Sequence, residues 1–236
     1  MKEKWVCILL TTSLTVLLLF GMMERQQPRP VFSTGSELPI LVLDAGHGGF
    51  DGGAVGADGT MEQDINLSIA YRVQALCGLF GYPVQMTRTD EQALDYVEGR
   101  SVRENKVADI KARERIVNNV ENPVFLSIHL NKFQDPQYYG AQVFYSKNHP
   151  GSKILAEKTQ EAMIAGIQNG NIRRAKPAVP TIYLMKNLTC PAVIVECGFL
   201  SNPEEERKLG DSGYQKRLAL CIFEGWKKYS DSIGME

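Results

Sequence analysis

The stretch Ile40-Leu-Val-Leu-Asp-Ala-Gly-His-Gly-Gly-Phe-Asp-Gly-Gly-Ala54 limits the fold of this chain more than any other. Its short apolar run, bounded by glycine, predicts a buried strand. The strand stops at Asp44, and a glycine-rich turn holding one histidine, His47, follows it. Glycines on both sides of a polar residue let the backbone wrap closely around a bound group. His47 therefore sits where a strand ends and the chain turns, a usual place for the active site of an α/β protein.

The rest of the chain alternates strands and helices. A helix opens at Thr60, with Thr60-Met-Glu-Gln63 matching a capping box and Ile65, Ile69, Val73 and Leu76 on one stripe. Further strands are expected at Val84–Thr87, Val124–Leu130, Ala141–Tyr145 and Ala192–Val195. Further helices are expected at Val107–Asn119, Ser152–Ile167 and Tyr214–Tyr229. Asp95–Lys106 and the basic stretch Asn169–Pro180 read as loops, and Thr181–Met185 as short and extended. This alternation predicts an α/β three-layer sandwich, a twisted and mostly parallel sheet flanked by helices.

The 236 residues are 44% hydrophobic with a formal net charge of −1, enough for one ordinary domain with a sizeable core. The balanced charge argues against nucleic acid as a partner. Lys2 and Lys4 precede an uncharged run, Trp5–Met23, whose 19 residues approach the length that crosses a bilayer core. We read residues 1–23 as a signal-anchor with its C-terminal side exported. A cleaved signal peptide is the competing reading, but Gly21-Met22-Met23-Glu24 matches a cleavage site poorly. Residues 24–38, rich in Pro, Gln and Ser, read as a linker, and residues 39–236 as a single folded domain. Cys77, Cys190, Cys197 and Cys221 lack metal-site spacing and read as small core residues.

Four residues far apart in sequence fall at strand ends or a helix start: His47, Glu62, His129 and Glu196. In a parallel sheet such positions meet outside the carboxyl ends of the strands. Two imidazoles and a carboxylate are a zinc ligand set that leaves a position for water, and His47, Glu62 and His129 can supply it. Glu196 ends an apolar strand, where a carboxylate needs a partner. It is either ion-paired to Arg88 or Arg113, or a general base with a raised pKa beside an activated water. Ser127 and Asn131 share a strand face with His129 and could orient it or contact substrate. Asp44 could hold the His47 imidazole or cap the turn. His149 and Asn202 read as turn residues. A dinucleotide cradle fails on glycine spacing, and a serine nucleophile has no elbow motif.

Leu43-Asp-Ala-Gly-His-Gly-Gly-Phe-Asp-Gly-Gly-Ala54, Glu62, Ser127-Ile-His-Leu-Asn131 and Val195-Glu-Cys-Gly-Phe-Leu-Ser-Asn202 together resemble the zinc-dependent N-acetylmuramoyl-L-alanine amidases of the Amidase_3 type. The resemblance spans about residues 40–230. It implies Zn2+ held by His47, Glu62 and His129, Glu196 as the catalytic glutamate, and peptidoglycan as substrate, cut between the muramic lactyl group and L-alanine. Ala45 stands where the family often has proline.

A narrower resemblance, through Ile182-Tyr-Leu-Met-Lys-Asn-Leu-Thr189 and the short anchored chain, is to the endospore-cortex amidases. It implies work in the cell envelope, in the forespore intermembrane space, beside a peptidoglycan deacetylase that enables muramic δ-lactam formation. Lys132–Tyr139 is too short for the self-blocking helix of some relatives, so control falls to an activator protein or to timing of expression. The alternatives are a non-catalytic wall-binding protein on the same fold and a zinc peptidase acting on another amide.

Overall fold

The computed structural model describes residues 38–233. The expected anchor and all but the last residue of the expected linker lie outside the described residues.

Six strands form one sheet: β1 (Ile40–Ala45), β2 (Val84–Met86), β3 (Pro123–Asn131), β4 (Gln142–Tyr145), β5 (Lys176–Pro177) and β6 (Ala192–Phe199). Their order is β2-β1-β3-β6-β4-β5. The first four in that order run parallel; β4 is antiparallel to β6, and β5 is parallel to β4. Among the described residues six helices cover the sheet: α1 (Glu62–Phe80), α2 (Val102–Asn118), α3 (Pro150–Ile167), α4 (Tyr183–Asn187), α5 (Pro203–Gly210) and α6 (Ser212–Ile233).

Strand alternation sorts the core into two layers. Leu126 and Ile128 of β3 pack with Ile69 of α1, Leu155 of α3 and Trp226 of α6. Phe125 on the opposite face packs with Val42, Ile194, Val117 of α2 and Leu184 of α4. Each such side chain contributes about 2 kcal/mol by leaving water, and the buried polar residues within these strands, Asp44 of β1 and Ser127 of β3, bond each other. Gly225 lets α6 lie close on α3, since a Cβ there would stand 2.5 Å from Thr159 Cα. The result is the expected three-layer sandwich with a mostly parallel sheet.

Several local expectations differ from the structure. Thr60 does not cap α1; Met61 is the N-cap, without a side-chain bond, and the Thr60 hydroxyl bonds the Glu206 carboxylate instead. Helix α2 starts within the expected loop, at a capping box between Ser101 and Glu104. The segment around Thr181–Met185 enters helix α4 rather than staying extended. Asn202 is the N-cap of α5, a helix that sequence reading missed, and accepts from Glu204 N and Glu205 N. His149 likewise caps α3 through Gly151 N. Among the described residues the four cysteines are free, and Cys197 is buried on the face away from Glu196, as strand alternation requires.

Candidate metal centre

The site lies at the carboxyl ends of β1, β3 and β6. The chain runs from β1 to β2 on one side and later to β3 on the other, so a crevice opens between them. Strand register places Asp44 beside Ser127, and His129 beside Glu196. These residues share the face that carries Phe125 and Ile194.

His47 has φ of 63°, in the left-handed region, which costs a non-glycine residue of order 1 kcal/mol. The conformation is held from outside: Arg113 Nη2 donates to the His47 carbonyl at 2.7 Å. Arg88 adds bonds to the carbonyls of Ala45, Gly46 and Gln63 at 2.9, 3.2 and 2.9 Å. Two buried guanidiniums thus fix the turn. Gly46 is required by proximity, because a Cβ there would stand 2.2 Å from His129 Nε2.

Ligand atoms of His47, Glu62 and His129 lie within 4.8 Å of one another. Glu62, buried at the first residue of α1, reaches His129 Nδ1 at 2.9 Å with Oε1 and His47 Nε2 at 3.3 Å with Oε2. Its oxygens also accept from Leu130 N at 2.9 Å and Ala54 N at 2.7 Å. Burial alone would raise its pKa, but these imidazoles hold the carboxyl well below the ordinary range. The two rings stand nearly perpendicular, 4.9 Å apart. This cluster could hold a metal ion.

Glu196 lines the same cavity, about 340 Å³ in volume, with His47, His129, Phe125, Ile110 and Arg113. Neither arginine considered for it is its partner. Arg113 pairs with Asp44 and Asp109, and Arg88 bonds backbone. Its Oε2 is buried with no hydrogen-bond partner. Burial pushes its pKa up to about 7; neighbouring His129 opposes the rise, Glu62 adds to it and His47 opposes it.

The other expected residues are placed differently. Asp44 does not touch the His47 ring; it accepts from Thr87 at 2.6 Å, Ser127 at 2.5 Å and Arg113 at 2.5 Å. The Ser127 hydroxyl is thereby committed to Asp44 rather than to His129. Asn131 lies past an irregularity in the β3–β6 register, where its carbonyl accepts from Leu200 N. It is absent from the cavity wall.

Asp51, not among the expected site residues, belongs to the site: its Oδ2 lies 3.0 Å from His47 Nδ1 and its Oδ1 pairs with Lys106 at 3.0 Å. Its position four residues after His47 in a turn was the available signal. Burial lowers the His47 pKa, but hydrogen bonds to Asp51 and Glu62 outweigh it and raise the value to about 9. Lys106 fell in the expected loop, Asp109 resembled an ordinary solvated helix position, and Arg113 was considered only as a partner for Glu196, so the hold of α2 on the His47 turn was not foreseen.

The model of the N-acetylmuramoyl-L-alanine amidase family Amidase_3 matches residues 41–228. The germination-specific N-acetylmuramoyl-L-alanine amidase of Bacillus subtilis is 33% identical over 233 residues, covering 99% of this chain and 97% of that protein. The CwlD amidase of Clostridioides difficile, solved in complex with the GerS lipoprotein, is 40% identical with a TM-score of 0.79, covering 82% of this chain and 99% of the other. The catalytic domain of CwlV, an amidase of Bacillus (Paenibacillus) polymyxa, is 28% identical with a TM-score of 0.69, covering 82% and 98%.

Proposed function

The chain belongs to the N-acetylmuramoyl-L-alanine amidase family Amidase_3, and from that we propose that it is a zinc enzyme hydrolysing the amide between N-acetylmuramic acid and L-alanine in peptidoglycan. The observation that carries the mechanism is the unpartnered Glu196 carboxylate facing a cluster of two imidazoles and a carboxylate. That donor set fits zinc. His47, Glu62 and His129 would hold the ion, and a zinc ion there supplies Lewis acidity toward water and the substrate carbonyl.

The protein's own groups do the rest. Asp51 fixes the His47 ring through Nδ1, leaving Nε2 toward Glu62. Glu196, with a pKa near neutrality, takes the proton of the attacking water and returns it to the leaving amine of L-alanine. Phe125, Ile110 and Ile194 keep the floor of the cavity apolar, which strengthens electrostatic interactions there.

We place the enzyme in the cell envelope, working on spore cortex, where peptide removal prepares muramic acid for δ-lactam formation with a deacetylase. Similarity to a germination-specific amidase supports this. An activator protein is supported by the relative solved in complex with a lipoprotein. Anchoring through Trp5–Met23 rests on the sequence alone; among the described residues no helix is long and apolar enough to cross a membrane. The test is to digest purified peptidoglycan with zinc and any required activator present, then analyse products by mass. Free stem peptides beginning with L-alanine are expected. Intact muropeptides, or cleavage at another amide, would reject the assignment.

A further inference from the structure

The loop between β3 and β4 carries a second organised surface. Phe133 and Tyr138 stay 55% and 39% exposed yet are packed edge to face, 5.0 Å between ring centroids. Tyr138 stacks in turn on buried Phe199, over which Arg173 lies at 5.0 Å. The loop is tied down along its length. Phe133 N donates to Ser201 Oγ at 3.1 Å, Asn202 Nδ2 to the Pro136 carbonyl at 2.9 Å, and Gly140 N to Glu205 Oε1 at 2.9 Å. Beside it lies a cleft of about 210 Å³, walled by Tyr138, Tyr139 and Ile172 and offering Gln137 and Arg173 as polar groups.

This surface adjoins the metal cluster. Only Leu130, Asn131 and Lys132 separate His129 from Phe133, and Lys132 Nζ donates to the Val55 carbonyl, next to the Ala54 amide that binds Glu62. Exposed aromatic rings held in place cost little ordering entropy on binding. They offer apolar faces to ligands that also carry polar groups. A concave site with aromatic walls and a few polar groups suits a small ring better than the broad flat face of a protein.

We propose that the Phe133–Tyr138 platform and the Tyr138–Tyr139 cleft form a glycan subsite, holding N-acetylated sugar rings of the strand that bears the cleaved amide. The inference rests on the peptidoglycan reading above. The test uses the full chain carrying Glu196→Gln in detergent, titrated with peptide-free glycan strands of alternating N-acetylglucosamine and N-acetylmuramic acid. Phe133→Ala and Tyr138→Ala should each weaken binding about fivefold or more, and the loss should persist at about 0.5 M salt, where exposed charges are screened. Phe133→Trp should retain binding, and Leu79→Ser, at an exposed position of α1, should leave it unchanged. With Glu196 restored, the alanine variants should raise KM for glycan-strand substrate far more than they lower kcat. Equal glycan binding by both alanine variants overturns the subsite, even if the patch binds a protein. Glycan binding that depends on both rings, without any amide hydrolysis by the wild-type chain, would keep the subsite and reject the amidase reading instead.

Discussion

Gly46 shows how one absent methyl group shapes the site. His129 occupies the space where its Cβ would be, so Gly46→Ala must push the imbalance onto the ring. We expect Gly46→Ala to fold but to bind zinc about tenfold or more weakly, as read by competition with a chelating dye. Unchanged affinity would show that the His129 ring is not positioned for a metal. Asp44 works differently. Burial raises its pKa, but the Arg113 guanidinium and the Ser127 and Thr87 hydroxyls hold it lowered. A lowered carboxylate stabilises the fold above the unfolded value near about 4, and that contribution disappears as pH falls through the folded value. Asp44→Asn leaves Arg113 with Asp109 as its remaining ion-pair partner, so it should cost about 3 kcal/mol in urea unfolding at neutral pH. It should also flatten the acid side of the stability curve. Neither role could be read from sequence. Asp44 was visible as a strand-end carboxylate, but its partners come from three other segments.

At the scale of elements, α2 is the part whose importance the sequence hid. Its charged face reaches across the sheet edge to hold Asp51, Asp44 and the His47 carbonyl. The strands β1, β3 and β6 were legible because buried parallel strands are continuous apolar runs. Short helices were not. Helix α5 has eight residues, and its signal, Asn202 before Pro203, is also a turn signal. At the other end of the range, Thr60 carries a genuine capping pattern, but Glu206 takes its hydroxyl. Because Ser101 and Glu104 cap α2 reciprocally, Ser101→Ala should remove about 1 kcal/mol. In a domain of this size that lowers Tm by about 2–4 °C. A thermal melt showing no change would mean that α2 is held by its ion pairs alone.

The molecule as a whole gathers its chemistry on one edge. Two imidazoles, two carboxylates and a buried arginine arrive from the turn after β1, from α1, α2, β3 and β6, and the sequence grouped the first four only through their strand-end and helix-start positions. Glu196 has a pKa near 7 because burial disfavours its charge. As a base it must be ionised, so kcat/KM should rise with pH through that value. A divalent cation beside it favours the charged form, so the rise belongs at or below about pH 7 with zinc bound. An ascending limb well above pH 8 would assign the proton transfer to another group. The most direct measurement compares wild-type and Glu196→Gln chains on purified peptidoglycan, with bound zinc quantified in both. Zinc content should be equal, and release of peptides beginning with L-alanine should fall by about 10²-fold or more in the variant. Release at the wild-type rate from a zinc-loaded Glu196→Gln chain would contradict the role of Glu196 as the base.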